Sequence, residues 1–226
     1  DHRDLHSFPT RRSSDLSIGA IITVLLLVTD GNVLLFATCP ILLALVYLTK
    51  GFKEFGISLI MAVLLAILFI NPDVIAFDLV PIFLISLLFI AITRSTISDK
   101  YKILISFLVI SLILIIVYKL AMVDAGLDIR TLANDLYDEL KLNTSYDLKL
   151  EYIESVFALY PAMIASLSLI YSAISLKIIK NYLAYKKIGK DMVALRDIRL
   201  DKKDFSTIII ASIILYFIVR FLGVKD

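Results

Sequence analysis

The sequence predicts an all-α fold: a polytopic helical bundle in a membrane, with about seven transmembrane segments, the first truncated, and one short external amphipathic helix. Three observations carry that expectation. The 226 residues are 60% hydrophobic, with a mean hydropathy of +0.92, whereas soluble domains are nearer half apolar. Only 19% are charged, and the charges sit in short intervals between long apolar blocks. Lys and Arg concentrate in alternate intervals, as cytoplasmic loops require. A water-soluble domain with so many apolar helices would lack the polar surface to cover them.

The chain opens with DHRDLHSFPTRRSSDL, Asp1–Leu16, set directly against the apolar SIGAIITVLLLV. A basic stretch ahead of an apolar run is how a signal peptide or a first membrane helix begins. All sixteen residues also resemble the in-frame translation of a short-read sequencing adapter. They are therefore expected to be an artefact and are set aside from fold reasoning. Residues 17–226 are then a single integral membrane domain, read as a fragment of a longer chain. Both histidines, His2 and His6, belong to the leader, so the remainder has no His and one Cys, Cys39. That excludes imidazole metal sites and His-activated nucleophiles, and it leaves no intrachain disulfide. No cofactor and no metal are expected. The leader holds three Arg and three Asp, so the net charge of +2 is unchanged without it.

The apolar blocks follow in order. Ser17–Val28 is twelve residues, about 18 Å as a helix against a hydrocarbon core of about 30 Å, too short to span. The turn TDGN separates it from Val33–Thr49, which KGFKE ends. Phe55–Ile70 is closed by NPD, and Val74–Thr93 by RSTISDKYK. Ile103–Val123 is the fifth block. Tyr152–Ile179 is the sixth, longer than a span needs and so tilted or projecting. Phe205–Val224 is the seventh.

Lys and Arg between the blocks set the orientation. Lys50 and Lys53 precede the third block; Arg94, Lys100 and Lys102 follow the fourth; eight Lys and Arg from Lys180 to Lys203 follow the sixth. TDGN and NPD have none, and the interval after the fifth block carries seven acids against three bases. The positive-inside rule places the Lys/Arg-rich loops in the cytoplasm and the others outside. In the long external interval Ile129, Leu132, Ala133, Leu136 and Leu140 recur at helical spacing, with Asp128 placed as an N-cap. Asp135, Asp138 and Glu139 take the opposite face, so this is a short amphipathic helix packed at the membrane edge, the alternative being a substrate lid folded over the bundle. TSYD, Thr144–Asp147, reads as a capping box for the next helix.

Ionisable groups inside apolar blocks are costly and mark candidate sites. Asp78 lies three residues before Pro81; Lys119 and Glu154 lie near the outer ends of their blocks and either pair or snorkel. Pro40, Pro81 and Pro161 each free a carbonyl one turn earlier and bend a helix. Asp78, Pro81, Tyr160 and Pro161 are the candidate substrate-binding residues, because broken helices near the midplane are where transporters build sites. Asp78 also reads as a simple cap. Ala165, Ser168, Ser172 and Ser175 fall on one helical face, a packing seam in which small residues let helices approach. Lys186, Lys187, Arg196 and Arg199 in the basic loop are candidate contacts for anionic lipid headgroups or a cytoplasmic partner. Phosphate-loop, zinc-protease and serine-nucleophile motifs are absent, so no enzymatic activity and no nucleic-acid partner are expected.

ALYPAMIASLSLIYSAISLKIIKNYLAYKKIG (Ala158–Gly189), followed by LRDIRL (Leu195–Leu200) and another apolar helix, resembles the YybS-like family of bacterial integral membrane proteins of unknown function. Tyr160, Pro161 and Ala162 match the start of its long helix, and Arg196 and Arg199 its later Arg motif. The chain has no Trp, and Asp201 stands where that pattern has Pro. The resemblance implies a multi-pass protein of the bacterial cytoplasmic (inner) membrane. The family is distantly similar to substrate-capture subunits of energy-coupling-factor vitamin transporters, which implies a solute-binding or permease-like subunit with a membrane or cytoplasmic partner. The alternative is a non-transporting scaffold or regulator of an envelope or division complex.

Overall fold

A computed structural model describes residues 33–69, 72–143 and 149–193, with isolated positions between 197 and 217. The leader, the first block, TDGN, TSYD, Arg196, Arg199 and most of the seventh block lie outside the described residues, as do the side chains of 65–78. Every element among the described residues is a helix.

The elements are α1 (Val33–Lys50), α2 (Phe52–Phe69), α3 (Pro72–Arg94), α4 (Asp99–Asp124), α5 (Ile129–Asn143), α6 (Leu150–Ala158) and α7 (Tyr160–Tyr185). Local chemistry sets their ends. Gly51 adopts φ +93°, and its N–H donates to the Tyr47 carbonyl at 2.8 Å, which stops α1 and reverses the chain into α2. Pro72 opens α3, where its missing N–H costs nothing. Gly126, at φ +64°, ends α4: its N–H donates to Val123 O at 3.1 Å and that of Leu127 to Met122 O at 2.9 Å, the paired bonds of a Schellman cap. Asp128 caps α5 as its position in the sequence predicts. Its Oδ1 accepts the Thr131 N–H at 2.6 Å and the Thr131 hydroxyl at 2.8 Å.

The sixth apolar block is two helices, not the one helix its unbroken hydropathy predicts. Pro161 has no N–H for the Phe157 carbonyl, and its ring crowds the preceding turn. The chain answers with tight i→i−3 bonds, Leu159 N–H to Val156 O at 3.1 Å and Ala162 N–H to Leu159 O at 3.0 Å. α6 therefore stops at Ala158 and α7 restarts at Tyr160.

The chain divides into two units. The first contains α1, α2, α3, the start of α4 and the later part of α7; the second contains the rest of α4, α5, α6 and the start of α7. In the first, α1 packs on both α2 and α3. Its core holds Leu43, Val46, Ile82, Ile85, Phe89, Leu176 and Ile179, all nearly or fully buried. Aromatic pairs lock it: Tyr47 edge-on to Phe55 at 5.6 Å, Phe55 stacked on Phe83 at 6.2 Å, and Phe89 against Tyr171 at 5.9 Å. In the second unit α5 packs on α6, burying Ala133 and Ile153, with Arg130 3.6 Å from Glu154.

Candidate functional site

The long helices bury serines beside their aliphatic core and also turn large aliphatic side chains outward. Ser58, Ser86, Ser106, Ser111, Ser168, Ser172 and Ser175 are all buried, none more than 1% exposed. Large aliphatic side chains on the same helices face outward: Ile60 and Leu64 on α2, Val80 and Leu84 on α3, Leu120 and Val123 on α4, and Leu167, Ile170 and Ile174 on α7. Water would draw the hydroxyls out and the hydrocarbon in. Two of the buried hydroxyls bond their own helix: Ser86 donates to Ile82 O and Ser111 to Phe107 O, each at 2.7 Å. Among the described residues two helices, α4 and α7, are long and apolar enough to cross a membrane. Ala37–Lys50 and Leu79–Arg94 are shorter apolar stretches.

Of the residues read as a seam on α7, the three serines are buried and Ala165 is half-buried. Ser168, Ser172 and Ser175 continue into Leu176, Ile179 and Leu183 as one buried face, whereas Ser166 is exposed and bonds Ala162 O. Of the candidate substrate residues, Pro81 is buried in the core of the first unit. Asp78 lies on α3, one turn earlier. Tyr160 and Pro161 belong to the second unit, where the Tyr160 ring lies 4.7 Å from that of Tyr118. Tyr160 and Pro161 are adjacent at the helix break, and Asp78 and Pro81 lie three residues apart on α3.

Sequence reasoning missed two long-range polar contacts in the first unit. The Lys180 ammonium donates to Asp99 Oδ1 at 2.6 Å, and both side chains are only 14% exposed. The second oxygen of Asp99 accepts the Val193 N–H at 3.3 Å, and Lys177 Nζ donates to the neighbouring Met192 carbonyl at 3.2 Å. The end of α7 and the segment after it are thereby tied to the start of α4. The available signal was an acid one turn before an apolar block and two Lys near the end of another, both beside Lys/Arg-rich intervals. The second contact is the Tyr171 hydroxyl, which donates to Ala37 O at 2.8 Å. Pro40 lies three residues further along α1, and its missing N–H leaves the adjacent Phe36 carbonyl without a helical donor.

Lys186 and Lys187 close α7. Lys187 takes φ +58°, with its N–H on Ala184 O at 2.8 Å and that of Ile188 on Leu183 O at 2.9 Å. This is the cap that Gly126 makes at α4, built on a residue whose Cβ costs about 1 kcal/mol there. The Lys186 ammonium lies 5.7 Å from the Tyr182 ring and 5.9 Å from that of Tyr185. Arg94 sits 4.6 Å over Tyr47 and donates to its hydroxyl at 3.1 Å. At Asp128 the Thr131 backbone N–H, followed by the Thr131 hydroxyl, holds the carboxyl below its ordinary value. No family model, curated protein or solved structure matches the chain.

Proposed function

We propose that the chain is a multi-pass membrane protein of the bacterial cytoplasmic membrane, with about seven spans and its Lys/Arg-rich turns on the inner side. One observation carries the membrane reading: the long helices turn many large Ile, Leu and Val side chains outward as well as inward, while seven of their serines are buried. Hydrocarbon solvent favours that arrangement, since buried hydroxyls and small residues hold helices together where no hydrophobic force acts between them. Cysteine labelling tests it. In a Cys39→Ala background, an impermeant maleimide should label Asp135→Cys in intact cells and Lys187→Cys only after permeabilisation. Labelling of Lys187→Cys in intact cells, or recovery of the protein in the soluble fraction, would overturn the reading.

Within that frame we propose a non-enzymatic, solute-binding or permease-like subunit, in line with the resemblance to the YybS-like family. Asp78 beside the Pro81 bend in the first unit is one candidate contact, and Tyr160 beside the break at Leu159 in the second is another. The break supports the reading, because interrupted helices expose backbone groups that can hold a polar solute. Saturable binding of a small solute by the purified protein, weakened about tenfold by Asp78→Asn or by Tyr160→Phe taken singly, is the expected result, each change removing a charge-assisted or neutral hydrogen bond. Binding indifferent to both substitutions would refute it. The scaffold reading is favoured by the burial of Pro81, which packs into the core of its unit. It predicts co-purification with a stable protein partner and no solute.

A further inference from the structure

We propose that the end of the first unit where α4 begins and α7 ends binds the headgroup phosphate of an anionic phospholipid, an inference that rests on the membrane reading above. Segments 50–54, 94–102 and 177–191 together hold ten Lys or Arg and three carboxylates. The first two segments are the turns joining α1 to α2 and α3 to α4, so antiparallel helices deliver both to one end. The Asp99–Lys180 bond ties the end of α7 to the same place.

The inner cations there are engaged by the fold. Lys180 bonds Asp99, Lys177 bonds Met192 O, and Lys102 reaches Thr93 O at 3.4 Å. Lys186, Lys187 and Lys190 are exposed, and among the described residues no carboxylate pairs with them. Along α7 the outward groups change in a fixed order. Ile174 and Ile178 come first, then Asn181, the half-buried Tyr182 and the 73% exposed Tyr185, then Lys186, Lys187 and Lys190 with exposed Ile188 among them. Hydrocarbon, aromatic and cation in succession is the profile of a bilayer from acyl chains through carbonyls to phosphates. The pairing of ring and cation recurs at this end, where Arg94 lies over Tyr47 and Lys100 sits 5.2 Å from the Tyr101 ring. Free phosphate would use only the charges and leave the outward rings and isoleucines unexplained, so a phospholipid is the occupant.

The test is thermal unfolding of the full chain in neutral detergent, titrated with phosphatidylglycerol, phosphatidylcholine or inorganic phosphate. Phosphatidylglycerol should raise the unfolding temperature, and the other two should not. Each exposed lysine is worth about fivefold in affinity, so Lys186→Gln, Lys187→Gln and Lys190→Gln combined should weaken the response roughly a hundredfold. High salt should weaken it similarly. Equal stabilisation by phosphatidylcholine, equal effect of inorganic phosphate, or an undiminished response in the triple variant would overturn the proposal. Should the triple variant unfold without lipid, Lys190→Gln alone reads the about fivefold loss, and no loss refutes. Insertion into phosphatidylcholine bilayers keeps the two readings apart. Failure to insert sinks the membrane reading, whereas insertion without a phosphatidylglycerol preference sinks this one.

Discussion

Neutralising either partner of the Asp99–Lys180 pair should destabilise the first unit far more than a surface ion pair would. Exposed pairs are worth about 0–1 kcal/mol. Removing one partner of a fully buried pair costs about 3–5 kcal/mol, because the other charge is left without compensation. With both side chains 14% exposed and the bond at 2.6 Å, this pair stands near the buried limit, and about 2–4 kcal/mol is expected for each single change. The two changes are not equivalent. Lys180→Met leaves Asp99 with the Val193 N–H and with Lys102 nearby, whereas Asp99→Asn removes the carboxylate that both Lys180 and Lys102 face. Asp99→Asn should therefore cost more. For a chain of this length 1 kcal/mol moves Tm by about 2–4 °C, so drops of roughly 4–16 °C are expected in detergent-solubilised protein. The double variant should be less destabilised than the sum of the singles by at least about 1 kcal/mol. Single drops under about 2 °C, or strict additivity, would refute the argument that this contact pins α7 to α4.

Three further outcomes are expected. Ser172→Leu forces extra volume into the buried face of α7 and should cost about 1–3 kcal/mol, whereas Ser166→Leu, on the exposed face, should change stability by less than about 0.5 kcal/mol; thermal unfolding of the two variants side by side checks this. The Asp128 cap should be pH-dependent in one direction. Its folded carboxyl titrates below its ordinary value, so its contribution is complete above the ordinary carboxylate range and is lost as pH falls through the lowered value. Protection factors of the first-turn amides of α5 should fall over that range in the native chain and show no such step in Asp128→Ala. Lys187→Gly relieves a left-handed backbone and should raise stability in detergent by about 0.5–1 kcal/mol, read as a higher Tm.

Much of this architecture is written locally. Val33–Thr49 as read from hydropathy is Val33–Lys50 in the structure, and Asp128 caps α5 where its position beside the apolar period requires. The seam of α7 was legible because three serines recur at helical spacing. Ser58, Ser86, Ser106 and Ser111 were not, because a few hydroxyls in a long apolar run set up no such face of their own. Pro161 signalled a bend in the sixth block, but hydropathy that continues past it hid the full break into α6 and α7. Lys180 and Asp99 stand 81 residues apart, and no local signal links two charges at the ends of different helices. Tyr171 and Ala37 are separated by 134 residues, and the acceptor is a backbone carbonyl, which has no sequence signature at all.

The central claim is that the outward aliphatic faces meet lipid. Spin labels placed singly at Leu167, Ile170, Ile174 and Ser172 in the reconstituted Cys39→Ala protein measure this through collision with oxygen and with a water-soluble nickel complex. The account predicts that the first three positions are open to oxygen and closed to nickel, and that Ser172 is closed to both. Free access of nickel to Leu167, Ile170 and Ile174 would contradict it.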